Sequence, residues 1–170
     1  DRVLSASGAA GTLVEDKLFI RPATPDDVMT LLAIEQASFD SERISRRQMR
    51  YLLTRAKAIT LIAEQEGKAV AYAMVFVPGL PRPARLYSIA VDQRFRGQKI
   101  AATLLNQLFL QLQQARYRRI RLEVRESQAG VQRLYQRLGF NELIRIPAYY
   151  EDGESAIRME KNFLIQTDSD

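Results

Sequence analysis

The sequence predicts a mixed α/β domain built on one sheet with helices packed over it. Two observations carry that expectation. Short runs of alternating or continuous apolar residues interleave with longer stretches of helical period, in the order β-α-α-β-β-β-α-β-α-β-β. No repeat, linker or shift of composition divides the 170 residues, and 46% of them are hydrophobic, enough for one sizeable core. The expected boundaries are a flexible lead-in over 1–16, a single domain over 17–164 and a disordered polar tail over 165–170.

"KLFIRPA" (17–23) alternates and reads as the first strand. "TPDDVMTLLAIEQASF" opens a helix, with Thr24 as N-cap, Pro25 at the first helical position and Asp27 in the first turn. Val28, Leu31, Leu32 and Ile34 supply its apolar face. Ser45, with Gln48 three residues on, resembles a capping box at the start of "RRQMRYLLTRAK". "AITLIAEQ" and "KAVAYAMVFVPG" read as two strands joined by a Glu66-Gly67 hairpin turn, and "ARLYSIAVD" (84–92) as a third. Ile100, Leu104, Leu105, Leu108, Phe109 and Leu112 then recur at helical spacing, predicting a helix over 100–116. "RIRLEVR" (119–125) alternates as a strand, "AGVQRLYQRL" is a helix stopped by Gly139, and strands near 140–146 and 156–164 flank the turn "EDGE".

Composition excludes more than it asserts. With no Cys and no His, the chain lacks a cysteine nucleophile, a Ser-His-Asp triad, disulfides and the usual structural zinc ligands, and no metal site is expected. Proton transfer must fall to Asp, Glu, Tyr, Lys or a terminal amine. The net charge of +5 is mostly arginine, scattered along the chain without a ribonucleoprotein or zinc-finger pattern, so nucleic acid is not an expected partner. No apolar run is long enough for a membrane span, and a cytoplasmic location is expected.

The chemistry concentrates in "RFRGQKIA" (94–101), where a basic, glycine-bearing turn runs directly into a helix. A helix N-terminus presents unpaired N–H groups and partial positive charge, which suit a phosphate. Gly97 would let the backbone approach a ligand closely, and Arg94, Arg96 and Lys99 add charge; an ordinary strand–helix turn with exposed cations is the alternative.

Together, "IAVDQRFRGQKIAATLL", "LEVRESQAGVQRLYQRLGF" and "YYEDGESAIRMEK", in that order and at those distances, resemble the GNAT superfamily of acyl-coenzyme A-dependent N-acyltransferases. They are most similar to the branch that acetylates protein N-termini, typified by the ribosomal-protein-alanine N-acetyltransferases, and the resemblance covers roughly residues 17 to 163. It implies a central, mostly antiparallel mixed sheet with helices on both faces, and acetyl-coenzyme A as co-substrate. It also implies that Arg96, Gly97, Gln98, Lys99, Ile100 and Ala101 wrap the pyrophosphate, while backbone groups of Ile89, Ala90 and Val91 hold the acetyl and pantetheine portion. Lys99 replaces a family glycine, which fits only if its backbone torsion is not positive. Gln128 stands where the family has an asparagine on coenzyme A.

By the same resemblance, Glu123 is the general base that takes a proton from the acceptor ammonium, and Tyr135 the acid that protonates the departing thiolate. Read without it, Glu123 is a cross-strand partner for an arginine and Tyr135 a core or rim tyrosine. Tyr149 and Tyr150 match a pair lining the peptide entrance, and Phe39 its other wall, although "DSERIS" and the lack of tryptophan depart from the branch. The resulting expectation is an N-acetyltransferase acting directly on a primary amine, first a protein or peptide N-terminus. A small-molecule amine is the alternative acceptor, and a non-catalytic coenzyme A sensor the alternative class.

Overall fold

The structure, a computed structural model, describes residues 18–38, 44–97 and 99–163. The expected lead-in and tail lie outside the described residues, as do Phe39 and Gln98. Among the described residues, seven strands and four α-helices follow one another as β1 (Leu18–Pro22), α1 (Val28–Ser38), α2 (Arg46–Thr54), β2 (Ala58–Gln65), β3 (Lys68–Phe76), β4 (Ala84–Val91), α3 (Ile100–Gln114), β5 (Arg119–Arg125), α4 (Ala129–Arg137), β6 (Asn141–Ile146) and β7 (Ala156–Asn162). This is the order the sequence predicts. The strands form one sheet, β1-β2-β3-β4-β5-β7-β6, antiparallel except where β4 meets β5.

Local chemistry explains the boundaries. Before α1, Pro25–Asp27 form a 3-10 turn rather than the first turn of the helix itself. Asp27 reaches back to the Thr24 N–H at 2.8 Å and is gripped by both terminal nitrogens of Arg21, each at 2.9 Å. Ser45 caps α2 by accepting the Gln48 N–H at 3.1 Å, but the Gln48 side chain bonds the Tyr87 hydroxyl instead of closing a capping box. Glu66 and Gly67 both have positive φ, as a two-residue hairpin with the sheet's twist requires. Helix α3 stops two residues before the expected end, because Arg116 turns left-handed at φ 72°. At the end of α4, the Phe140 N–H bonds the Tyr135 carbonyl and the Gly139 N–H that of Gln136, a Schellman closure around Gly139.

Two apolar layers hold the sheet between the helices. Ile100, Leu104, Leu105, Leu108 and Leu112 of α3 pack on Ile89, Leu122 and Val124 together with Tyr135 and Phe140. On the other face Val28, Leu31 and Ile34 of α1 and Met49 and Leu52 of α2 cover Ile62, Tyr72, Met74 and Ala90. Each fully buried aliphatic side chain contributes roughly 1.5–3 kcal/mol. Helices therefore lie on both faces, as the resemblance implies.

Candidate active site

Strand β4 provides the framework. Met74 pairs with Ser88 and Val75 with Leu86, so Tyr87 is the extra residue of a bulge. The bulge resets the alternation: Ile89 and Val91 enter the α3 layer, while Ala90 enters the α1 layer. On its other edge β4 is in register with β5 only at Ala84–Ile120 and Arg85–Arg121. Beyond Arg85 the two strands part, and the main chain of 87–91 has no ladder partner on β5. An extended ligand can add there as a strand would. The structure thus puts Ile89, Ala90 and Val91 in the core by side chain and at an open edge by backbone.

At the carboxyl end of β4, Asp92 accepts the Arg94 N–H at 2.9 Å and binds the Arg94 guanidinium at 2.7 Å. That guanidinium holds the Asp92 carboxyl below its usual range. Arg96 donates to the Ser38 carbonyl at 2.9 Å, tying the turn to the end of α1. Gly97 has φ 84°. Lys99 overturns the condition set for it: its φ is 60° and its ψ 22°, left-handed backbone that costs a residue with a Cβ. The lysine is exposed, and its carbonyl accepts the Thr103 N–H at 3.1 Å and hydroxyl at 2.9 Å. Ile100 and Ala101, both buried, open α3 with the N–H groups that an intrahelical ladder leaves unpaired.

Glu123 lies on the sheet face opposite Leu122 and Val124, as alternation predicts, and only 4% of its side chain is exposed. Its Oε2 accepts Arg158 Nε–H at 2.8 Å, and its Oε1 is paired with Arg85. Arg85 also donates to the Tyr149 hydroxyl at 3.0 Å, which in turn donates to Glu123 Oε1 at 3.4 Å. The cross-strand arginine reading of Glu123 is therefore realised, and the tyrosine expected at the entrance touches the same carboxylate. Tyr150 stacks edge-on against Tyr149, with the Arg125 guanidinium carbon 4.1 Å from its ring centroid. Burial pushes its hydroxyl up to about 12.

Tyr135 is fully buried in the α3 layer, edge-on to Phe140. Its hydroxyl has no hydrogen-bond partner among the described residues, and burial raises it well above the usual phenol value, so it stays protonated and has a proton to donate. Gln128, just ahead of α4, likewise buries its Oε1 without a partner among the described residues. Orphaned buried polar atoms are uncommon, and a bound ligand could satisfy either one. Tyr135 and Glu123 belong to opposite faces of the sheet, and Glu123 lies on β5 beyond the last β4–β5 pair, Arg85–Arg121. Among the described residues no cluster of potential metal ligands occurs, and no helix is long and apolar enough to cross a membrane.

At the level of sequence Glu123 was allowed an arginine partner, but which arginines, and that there are two, was missed. Their signal was present: Arg85 in "ARLYSIAV" and Arg158 in "AIRMEKN" are cations set inside apolar strands. A buried triad was missed as well, in which the Tyr72 hydroxyl donates to Glu35 at 2.8 Å and lies 2.9 Å from Ser88 Oγ.

The sequence profile of the acetyltransferase (GNAT) family matches residues 27–140. A Bacillus subtilis protein provisionally named a [ribosomal protein bS18]-alanine N-acetyltransferase is 28% identical over 147 residues, 86% of this chain and 96% of its own. The Escherichia coli [ribosomal protein bS18]-alanine N-acetyltransferase is 39% identical over 98 residues, 56% of this chain and 65% of that protein. A crystal structure of the E. coli ribosomal-protein-S18-alanine N-acetyltransferase superimposes with a TM-score of 0.79 at 28% identity, covering 89% of this chain and 97% of that one.

Proposed function

This chain belongs to the acetyltransferase (GNAT) family, and from that premise we propose that it moves an acetyl group from acetyl-coenzyme A directly to a protein or peptide N-terminal α-amine in the cytoplasm. The parting of β4 from β5 beyond Arg85 carries the reading, because it opens one strand edge to an extended thioester next to the strand that carries Glu123. The pantetheine arm pairs with the main chain of 87–91, and the pyrophosphate lies over the turn 96–101 at the start of α3. Gln128 Oε1 accepts a hydrogen bond from the coenzyme, which relieves its burial without a partner.

The acceptor enters past Tyr149 as an ammonium and gives one proton to Glu123, directly or through water. The freed nitrogen attacks the thioester carbonyl carbon and forms the amide bond. The carbon–sulfur bond breaks, its electron pair stays on sulfur, and Tyr135 protonates that sulfur. The second amine proton, shed as the amide forms, passes to solvent, and the Tyr135 phenolate regains a proton from solvent. With no cysteine in the chain, transfer in a ternary complex needs no acyl-enzyme.

The test is acetyl-coenzyme A-dependent thiol release with free-N-terminus peptides and with small amines, read together with the mass shift of the peptide. Acetylation at the peptide α-amine is expected. Turnover of small amines alone overturns the choice of acceptor, and no turnover with any amine overturns the enzyme reading.

A further inference from the structure

Around Glu123, its face of the sheet holds more guanidiniums than carboxylates. Arg85 of β4, Arg119 and Arg121 of β5 and Arg158 of β7 lie on it, because register places Arg85 beside Arg121, Arg158 beside Glu123 and Glu160 beside Arg121. These four guanidiniums share two carboxylates. Glu123 serves Arg85 and Arg158, while Glu160 serves Arg121 at 2.6 Å and Arg119 at 3.7 Å. Farther along β5 the balance reverses, since Arg125 alone meets both Asp152 and Glu154. Along β5, the excess of guanidiniums over carboxylates therefore lies at Glu123 and the residues before it rather than at Arg125.

The sharing has a consequence for the proposed base. Both Glu123 oxygens are occupied, and an ammonium brought there meets two guanidiniums before it meets a free lone pair. Arg85 is the more exposed of the pair, at 42% against 29% for Arg158, and already divides its Nη2 between Glu123 and the Tyr149 hydroxyl at the proposed entrance. A carboxylate arriving with the acceptor can take Arg85 as a charge-assisted partner and leave Glu123 Oε1 with only the 3.4 Å bond from the Tyr149 hydroxyl. A cationic residue in the same place adds like charge to an already basic face.

Resting on the peptide α-amine reading above, we propose that the preferred acceptor is an acidic N-terminus, with an Asp or Glu side chain in its first two residues, and that Arg85 is the residue selecting it. Its carboxylate replaces Glu123 on Arg85, which couples acceptor choice to release of the base.

The experiment uses the full chain, acetyl-coenzyme A and four peptides identical after their first residue, which is Asp, Glu, Ala or Arg. Each kcat/KM is measured by thiol release, and the product is identified by mass. The acidic peptides should exceed the Ala peptide by at least about tenfold, the lower return of a charge-assisted hydrogen bond, and the Arg peptide should be poorest. The preference should shrink with added salt. In Arg85→Gln, shown folded by its thermal transition, the ratio of kcat/KM for the acidic peptides to that for the Ala peptide should collapse, with a higher KM for the acidic peptides. Arg158→Gln should keep the preference. Equal or better use of the Ala or Arg peptide by the parent overturns this inference while leaving peptide acetylation intact. An undiminished acidic preference in folded Arg85→Gln removes Arg85 as the selector. Failure to acetylate any peptide α-amine overturns both readings.

Discussion

Glu123 and Arg158 sit directly opposite each other on β5 and β7, and the arginine Nε–H reaches the glutamate Oε2 at 2.8 Å. Glu123 is thus a structural partner as well as the proposed base, and the two roles separate on mutation. Glu123→Gln keeps the shape and still accepts hydrogen bonds but takes no proton at neutral pH. Turnover should fall by about 10²–10⁴-fold with acetyl-coenzyme A binding unchanged. Because Arg85 and Arg158 can turn to water, the thermal transition should move little. Equal turnover in parent and variant, measured where chemistry limits the rate, would leave Glu123 only its cross-strand role.

Lys99 pays for its position with strain. At φ 60° its Cβ crowds the following carbonyl, a conformation that costs roughly 1–2 kcal/mol for a residue other than glycine. Lys99→Gly removes that strain but adds freedom to the unfolded chain. The net expected gain is therefore about 0.5–1 kcal/mol in urea unfolding. Lys99→Ala keeps the left-handed backbone and should gain nothing. If Ala and Gly stabilise equally, the strain is not in the backbone.

The sequence made legible whatever depends on local period and local chemistry. Leu104, Leu105, Leu108 and Leu112 announced α3 by spacing, and Gly139 announced the end of α4 because a Schellman closure requires positive φ. The face of Glu123 was legible too, since alternation decides the side of a strand. Its neighbours were not. Arg85 and Arg158 reach Glu123 through registers set by residues far along the chain, and alternation does not say which strands pair. The bulge at Tyr87 stayed hidden because apolar residues on both sides of it mask the reset of the pattern. Lys99 ran against local preference: its lack of glycine argued for ordinary torsions, whereas the entry into α3 imposes left-handed ones.

Acid should reveal the Arg21–Asp27 anchor of α1. The Arg21 guanidinium, more than the backbone bond from Thr24, holds the Asp27 carboxyl down at about 2, against about 3.9 in an unfolded chain. A carboxyl depressed by folding stabilises the protein above its unfolded value and loses that contribution as pH falls through its folded one. The pair is largely shielded, with 27% of the Arg21 side chain and 10% of the Asp27 side chain exposed. Its linkage contribution is roughly 2 kcal/mol near neutral pH. Urea unfolding of parent and Asp27→Asn should differ by about that much near pH 7, and the gap should close between about pH 4 and about pH 2. A gap that does not depend on pH would assign the effect to the Thr24 bonds instead.

Tyr135→Phe should move stability and catalysis in opposite directions. In the protein without substrate, the Tyr135 hydroxyl is buried in the α3 layer with no partner among the described residues. An unsatisfied buried hydroxyl costs about 1–3 kcal/mol, and phenylalanine fills the same space against Phe140 without that cost. Urea unfolding should therefore find Tyr135→Phe as stable as the parent or more so, by up to roughly 1 kcal/mol. Turnover should respond the other way. Burial keeps the phenol protonated, so it has a proton to donate, and the thiolate released as the carbon–sulfur bond breaks is the base that would receive it. Losing that donor should lower turnover by about 10²–10⁴-fold while acetyl-coenzyme A still binds. The two readings can be sunk separately. A destabilised Tyr135→Phe would mean that the hydroxyl has a partner in the resting protein. An unchanged rate in a chemistry-limited assay would mean that the thiolate takes its proton from water, leaving Tyr135 a packing residue.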